Sequence, residues 1–177
     1  MVHYRRYFYK GIFSNKILEK KDIINLLNKY DIIVPQRGYT WGSTVKGQYV
    51  KSHIANDLYV CGKVLKLKFP EYSDAFEYVF NNNYYFPFNM MIMRKEIFDS
   101  YSKWLFDILF ELENKIDLND RDDYNCRVFG FLSERLFNVW IRKNKDYKII
   151  EMPVFNVEEN MFKQRMQSLM KKLMFWK

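Results

Sequence analysis

The chain opens with a cluster of basic side chains that suits the binding of phosphate. His3, Arg5 and Arg6 combine an imidazole with two guanidinium groups in the run HYRRYF. A guanidinium group offers a planar fork of N–H donors that matches the oxygens of a phosphate. The cluster is therefore a candidate phosphate-binding site, although composition alone favours a basic terminal segment without a specific role.

A second set of candidates consists of Tyr49, His53 and Asp57, which follow one another at intervals of four residues. This spacing predicts that they share one face of a helix running from Gln48 to about Val64. A carboxylate one turn from an imidazole fixes its tautomer and raises its basicity. A lone His–Asp pair on a helix is, however, more often structural than catalytic. We expect no zinc site, because no third ligand lies at metal spacing.

Charged residues also stand in an apolar segment, predicted as a helix over Cys126–Asn144. Arg127, Glu134 and Arg135 are surrounded there by Phe and Leu residues. Such charges must be paired or must face a cleft. A carboxyl group held in this setting could have the raised pKa that acid–base catalysis requires. An ion pair that ties this helix to the sheet is the structural alternative.

Two further candidates lie in irregular segments. Tyr39 belongs to a loop from Gln36 to Gly47 whose aromatic and glycine residues suit contact with a ligand. Asn89 lies in a predicted strand from Tyr84 to Met93, which Pro87 interrupts early. Its amide is there either available to a ligand or bonded to the irregular backbone.

The elements that must position these residues alternate along the chain. Short apolar runs predict strands over residues 30–34, 84–93 and 147–154. Apolar residues at helical spacing predict helices over residues 48–64, 72–80, 94–116 and 126–144. Interleaved strands and helices favour α/β layers over a helical bundle. We therefore expect a small mixed sheet flanked by several helices.

The last segment predicts a basic amphipathic helix. From Met161 to Lys177 it carries five lysine and arginine residues and no acidic residue. This pattern is typical of a helix on an anionic bilayer, where each basic residue contributes about 1 kcal/mol. Docking on the domain itself explains the apolar residues equally well.

Composition narrows the classes of partner and compartment. The 177 residues fit one domain, and a hydrophobic fraction of 49% is enough for a core. The net charge of +8 favours nucleic acid, anionic lipid or a nucleotide diphosphate, or it reflects a solvated lysine-rich surface. Cys61 and Cys126 lack CxxC spacing and predict free thiols in a reduced, cytoplasmic protein. No apolar run approaches the roughly 20 residues of a membrane span.

Taken in order, several of these segments resemble a known family. They are His3–Phe8, Tyr30–Pro35, Tyr49–Leu58, Asn89–Met93, Tyr101–Leu109 and Arg127–Leu136. The set is similar to a family of bacterial capsular and exopolysaccharide glycosyltransferases, a domain of unknown function with GT-A-like ancestry. The resemblance implies a partial Rossmann-like catalytic domain, a nucleotide-sugar donor, and a glycan or lipid-linked glycan acceptor.

The resemblance also implies roles for the candidate residues. His3, Arg5 and Arg6 would face the donor diphosphate, which a divalent cation (Mg²⁺ or Mn²⁺) would accompany. Glu134 is the first candidate for the catalytic acid or base, and Asp57 is the second. The substrate-binding candidates are His53, Asn89, Tyr39, Arg127 and Arg135.

Family members carry βαβ units before the HYRRYF run, and this sequence begins at that run. We therefore expect residues 1–155 to be the C-terminal part of the catalytic domain and residues 156–177 to be the basic helix. The chain would then be either a gene fragment or one half of a split protein that a second chain completes. Two alternatives stay open. One is a non-catalytic remnant or accessory chain, and the other is a nucleic-acid-binding protein that uses its aromatic and basic residues for stacking and phosphate contacts.

Overall fold

The computed structural model describes residues 5–174, which divide into two compact units. The first unit comprises the chain up to Tyr39, residues 86–95 and the chain from Asp146 onward. The second unit comprises residues 40–85 and 96–145. Most strands belong to the first unit, and most helices belong to the second.

The strands are short, and the helices vary widely in length. The strands are β1 (Arg6–Phe8), β2 (Ile32–Pro35), β3 (Gly38–Tyr39), β4 (Tyr84–Tyr85), β5 (Ile92–Met93), β6 (Ile149–Met152) and β7 (Val154–Asn156). The helices are α1 (Lys20–Leu27), α2 (Val45–Ser52), α3 (Ala55–Lys68), α4 (Ser73–Asn81), α5 (Lys95–Glu113), α6 (Val128–Lys143) and α7 (Met161–Met174).

The first unit is built on β2, whose four residues are all buried. This strand pairs with β5 in antiparallel orientation and with β6 in parallel orientation, so that Ile32 lies opposite both Met93 and Ile149. A run of β-branched residues suits a strand with neighbours on both sides. Strand β1 pairs with β7 in antiparallel orientation and places Arg6 opposite Asn156.

The core of the first unit gathers side chains from strands and from the loop before β5. Phe8, Ile33, Met90 and Met152 form its buried centre. Leucine and isoleucine residues of α1 pack against this centre, which explains why that helix is amphipathic. The core thus fixes β1, the strand that carries Arg6 and follows Arg5, against β2.

The second unit is a helical assembly around α6. That helix buries ten of its sixteen residues, among them Leu136, Phe137 and Trp140. The ring of Tyr101 on α5 packs edge-on against Phe137 and Trp140, at centroid distances of 5.4 and 5.3 Å. Edge-to-face packing of this kind is a favoured aromatic geometry. The polar residues of α6 therefore project from a rigid, apolar frame.

Two sequence-based predictions of single elements are wrong. The helix predicted over residues 48–64 is two helices, because His53 and Ile54 adopt extended backbone between α2 and α3. The strand predicted over residues 84–93 is two short strands. Phe88 and Asn89 separate them with φ angles of 75° and 51°, in the left-handed region.

The fold class predicted from the sequence is confirmed. The chain is α/β, with small sheets that include a mixed one, several helices and a C-terminal helix. That last helix, α7, lies within the segment 156–177, although the domain boundary itself stays a prediction. Within residues 5–174 no helix has the length and apolar character needed to cross a membrane.

Candidate functional site

The first unit contains a polar cavity, which we call the Arg6 cavity. Its volume is about 210 Å³, and its polar lining includes Arg6, Gln36, Asn156, Glu159, Ser168 and Lys171. Strand pairing between β1 and β7 brings Arg6 and Asn156 to this cavity, and α7 supplies the last two side chains. The cavity is smaller than the roughly 300–1,000 Å³ typical of ligand pockets, so it suits a small group such as a diphosphate.

The guanidinium group of Arg6 differs from those of its neighbours in this unit. Arg5, Arg37 and Arg94 form ion pairs with Glu158, Glu151 and Asp31, respectively. By contrast, Arg6 lies over the ring of Phe88 at 4.6 Å from the centroid, and no carboxylate of the described chain pairs with it. A cation–π contact of this kind orients the guanidinium group and leaves its N–H donors available.

The left-handed backbone at residues 88 and 89 supports this arrangement. Phe88 lines the Arg6 cavity, and its φ angle of 75° belongs to a region that L-residues other than glycine rarely adopt. Asn89, a substrate-binding candidate, continues the same turn. The structure therefore gives Asn89 a place in the turn that presents the Phe88 ring to Arg6.

Helix α7 is held against the first unit by a row of polar contacts. The Gln164 amide donates to the Asn156 carbonyl and accepts from the Asn156 backbone N–H, at 2.9 and 2.7 Å. One turn later the Ser168 hydroxyl donates to the Gln36 side chain. Lys171 follows at the next position on the same side of the helix, so its side chain reaches the cavity.

A second cavity of about 430 Å³ shares two residues, Gln36 and Lys171, with the Arg6 cavity. We call it the Lys10 cavity. Two of its basic groups are already paired, because Lys10 contacts Asp22 at 2.8 Å and Arg37 contacts Glu151 at 2.6 Å. The basic groups that retain capacity for an anion are therefore on α7.

In the second unit, Asp57 is held by an arginine that the sequence reasoning did not select. Arg121 donates from both terminal nitrogens to the two carboxylate oxygens, at 2.7 and 2.8 Å. The Asp57 residue is only 2% exposed. The paired carboxylate raises the pKa of Arg121, chiefly through these hydrogen bonds. Such a bidentate pair fixes the first turn of α3 against the loop that follows α5.

His53 packs against aromatic rings just after α2. Its imidazole stacks on Phe131 at a centroid distance of 4.0 Å and on Tyr124 at 5.6 Å. Burial, reinforced by the charge of Arg135, lowers the pKa of His53 to about 4, so the ring is neutral near pH 7. The continuous helix face predicted for Tyr49, His53 and Asp57 is broken at His53, where the imidazole packs on these rings instead.

Glu134 and Arg135 form a polar connection between α6 and α2. The Arg135 guanidinium group donates to a carboxylate oxygen of Glu134 at 2.8 Å and to the side-chain carbonyl of Gln48, also at 2.8 Å. Its face lies near the rings of Tyr49 and Tyr85. The structure therefore pairs these charges within α6, and the hydrogen bond from Arg135 to Gln48 links α6 to α2 rather than to a sheet.

The predicted site residues thus fall into separate groups. Arg5, Arg6, Tyr39 and Asn89 belong to the first unit, and Arg6 alone among them lines the Arg6 cavity. In the second unit, His53 and Arg127 both contact the Phe131 ring. The charges of Asp57 and Arg135 act on the pKa of His53. Glu134 is connected to this group by its hydrogen bond with Arg135. His3 lies outside the described residues.

Several residues of these groups were missed by the sequence reasoning. Arg121 and Gln48 lie 64 and 87 residues from their partners, and neither carries a local signal. The sequence pattern places Lys171 only on a basic helix face.

The described residues do not supply a cluster suited to a metal ion. No group of three or more His, Cys, Asp or Glu side chains comes together within residues 5–174. The carboxylates of the two cavities, Glu151 and Glu159, are bonded to Arg37 and Asn156, respectively. The divalent cation expected to accompany the donor diphosphate stays a prediction.

Comparison with known proteins extends these observations. The chain is similar to the apo structure of WbbM, a bifunctional glycosyltransferase, with a TM-score of 0.81 and 26% sequence identity. The match covers 89% of this chain and 33% of that one, so the chain spans a third of its length. It confirms the predicted glycosyltransferase-like fold, whereas no curated protein matches the sequence. Residues 1–145 match the family described as Domain of unknown function (DUF4422), and the chain belongs to that family.

Proposed function

We propose that this chain is a glycosyltransferase, or part of one, that transfers a sugar from a nucleotide-sugar donor to a growing glycan. The observation that carries the proposal is the similarity to WbbM over 89% of the chain. Within that proposal, the acceptor is a capsular or exopolysaccharide chain or its lipid-linked precursor. A bacterial, cytoplasmic enzyme is compatible with the free thiols of Cys61 and Cys126.

The Arg6 cavity is the proposed site of the donor diphosphate. Arg6 offers an oriented fork of N–H donors without a competing carboxylate partner among residues 5–174. The Gln36 side chain, whose carbonyl oxygen accepts from Ser168, brings a neutral amide donor to the same lining. A cationic group and a neutral donor together can stabilise the negative charge that develops on the departing nucleotide diphosphate.

Glu134 is the proposed acid or base. Its carboxylate accepts from Arg135, and the guanidinium group is itself oriented by bonds to Gln48 and to the Phe131 carbonyl. A carboxylate held in one orientation can accept the proton of an attacking hydroxyl group when that hydroxyl comes within hydrogen-bond reach. Asp57 is the weaker candidate, because both of its oxygens are already engaged by Arg121.

The test is a transfer assay with purified protein and a panel of UDP-, GDP- and dTDP-sugars, with release of the nucleoside diphosphate as the readout. We expect turnover with at least one donor and a loss of at least about tenfold in kcat for Glu134→Gln. Glu113→Gln, at an exposed position of α5, is the matched control and should retain wild-type turnover. If Glu134→Gln retains wild-type turnover, Glu134 is not the acid or base. If the wild-type protein neither hydrolyses nor transfers any of the donors, the proposed activity is contradicted.

Helix α7 is also the proposed point of contact with an anionic bilayer. Its solvent-facing side carries Phe162, Met166, Met170 and Leu173, with Phe162 73% exposed and Met170 53% exposed. Lys163 and Lys172 are exposed beside them, and the helix contains no acidic residue. Exposed apolar side chains flanked by lysines suit the interface of an anionic membrane.

Vesicle sedimentation tests this contact. We expect binding to vesicles of phosphatidylcholine with phosphatidylglycerol, and little binding to phosphatidylcholine alone. Replacing Phe162 and Met170 together by Ser should abolish binding without changing the thermal unfolding midpoint, because both side chains are exposed. Equal binding to both vesicle types, or binding that survives the double substitution, would contradict this part of the proposal.

A further inference from the structure

We propose that Lys171 of α7 is a second cationic ligand of the Arg6 cavity, so that Arg6 and Lys171 bind one diphosphate group between them. This inference deepens the proposed function and rests on it. Helix α7 would then have two sides with different tasks, since its solvent-facing side is the one proposed for the bilayer.

The position of Lys171 follows from how α7 is anchored. Asn160 caps the helix, and its side chain accepts from the backbone N–H of Lys163 at 3.0 Å. Gln164 and Ser168 then bond to Asn156 and Gln36 on one side of the helix. Lys171 is the next residue on that side, so the helix backbone is fixed within one turn of the lysine.

Lys171 lines both cavities. It is half-buried, and it has no carboxylate partner within residues 5–174. Burial lowers the pKa of Lys171, because the charged form loses hydration without gaining a counter-charge. An anion in the cavity would supply that counter-charge and would be bound the more strongly for it.

The charges around the cavity support an anionic ligand of limited size. Arg6 and Lys171 contribute two positive groups, and Glu159 is the acidic residue of the lining. The Glu159 carboxylate accepts from the Asn156 amide at 2.8 Å, which directs it toward the turn before α7. The two positive charges of the lining therefore outnumber its one negative charge. A volume of about 210 Å³ accommodates a diphosphate rather than a complete nucleotide sugar.

The diphosphate could belong to a nucleotide or to a lipid-linked acceptor, since both present the same group. The Lys10 cavity shares Lys171 with the Arg6 cavity and provides room for whatever the diphosphate carries. We therefore define the ligand by its chemistry as a diphosphate. The two sources can be separated with soluble probes: UDP, GDP and dTDP for the nucleotides and geranyl diphosphate for the lipid.

The first experiment is calorimetric titration of inorganic pyrophosphate and of each soluble probe into the wild-type protein, Lys171→Gln and Lys163→Gln. Lys163→Gln removes the same charge from an exposed position of α7 that lines neither cavity. Loss of one hydrogen bond to a charged group should weaken pyrophosphate about 10- to 100-fold in Lys171→Gln. Lys163→Gln should change the affinity by less than about twofold, because an exposed charge is screened. Equal affinities for the two variants would overturn the inference.

The second experiment locates the anion without relying on a variant. Limited acetylation of wild-type protein, read by mass spectrometry, should label Lys171 readily, because a lysine with a lowered pKa has a larger neutral, nucleophilic fraction. Pyrophosphate should protect Lys171 and leave the labelling of Lys163 unchanged. Labelling of Lys171 that pyrophosphate does not alter would also overturn the inference, even if Lys171→Gln failed to fold.

Failure of the inference can be told apart from failure of the proposed function. If the protein transfers sugar but Lys171→Gln binds every diphosphate as tightly as wild type, the activity stands and the role of Lys171 falls. If pyrophosphate protects Lys171 but no donor supports turnover, the anion site stands and the glycosyltransferase proposal falls. Preference for UDP, GDP or dTDP supports a donor site, and preference for geranyl diphosphate supports an acceptor site.

Discussion

Replacement of Asp57 by Asn is expected to destabilise the second unit rather than to act on catalysis. Both carboxylate oxygens accept from Arg121, and the aspartate is 2% exposed. The substitution removes the negative charge and one of the two acceptors, and it leaves the guanidinium group without a counter-ion. The Arg121 side chain is itself only 12% exposed, so water compensates little.

The magnitude follows from the cost of an unpaired buried charge. Removing one partner of a buried ion pair typically costs about 3–5 kcal/mol. Because the side-chain amide in Asp57→Asn would still accept one hydrogen bond, we expect the lower end, about 3 kcal/mol in the free energy of unfolding. Asp107→Asn, on the exposed side of α5, is the matched control and should cost less than about 0.5 kcal/mol.

Urea denaturation followed by circular dichroism measures both variants. A double variant, Asp57→Asn with Arg121→Gln, should lose clearly less than the sum of the two single variants, because it no longer buries an unpaired charge. The reasoning would be refuted if Asp57→Asn unfolded at the wild-type urea concentration. It would be refuted most plainly if such a stable variant had also lost all transfer activity, since Asp57 would then act chemically.

Three further outcomes follow from buried or strained groups. Tyr49→Phe should raise the free energy of unfolding by about 1 kcal/mol, because the buried Tyr49 hydroxyl has no hydrogen-bond partner within residues 5–174. A urea midpoint below that of wild type would contradict this prediction. The pKa of His53 is about 4 when folded and about 6.5 when unfolded, so the unfolded state binds more protons between these values. The urea midpoint should therefore be highest above pH 6.5 and fall toward pH 4, with a flatter profile for His53→Gln. Asn89→Ala should lower the free energy of unfolding by about 1 kcal/mol, because a φ angle of 51° is unfavourable for alanine, whereas Asn89→Gly should leave it nearly unchanged. Equal thermal midpoints for the two variants would show that the backbone at this position is not strained.

Regular elements of this fold could be predicted where hydrophobic periodicity is strong. The predicted helices over residues 94–116 and 126–144 correspond to α5 and α6, because each buries one wide apolar face. The buried run at residues 30–34 likewise predicted β2. The break at His53 could not be predicted, because it depends on stacking against Tyr124 and Phe131, more than 70 residues away.

The sequence indicated which types of residue belong to the candidate site, but it did not indicate which residues contact one another. The sequence alone indicated that Arg5 and Arg6 suit an anion. Only the fold shows that they differ, because Arg5 is paired with Glu158 whereas Arg6 lies over the Phe88 ring. The charges of α6 were correctly expected to be paired or to face a cleft. Their partner on α2, Gln48, is an uncharged residue that carries no signal of this role.

The affinity for nucleoside diphosphates tests the central claim, that Arg6 binds the diphosphate of a sugar nucleotide. UDP, GDP and dTDP would be titrated into wild-type protein, Arg6→Gln and Arg94→Gln, the last at an arginine that lines neither cavity. We predict binding of at least one of the three, about 10- to 100-fold weaker in Arg6→Gln and nearly unchanged in Arg94→Gln. If none binds, or if Arg6→Gln binds as tightly as wild type, the claim is contradicted.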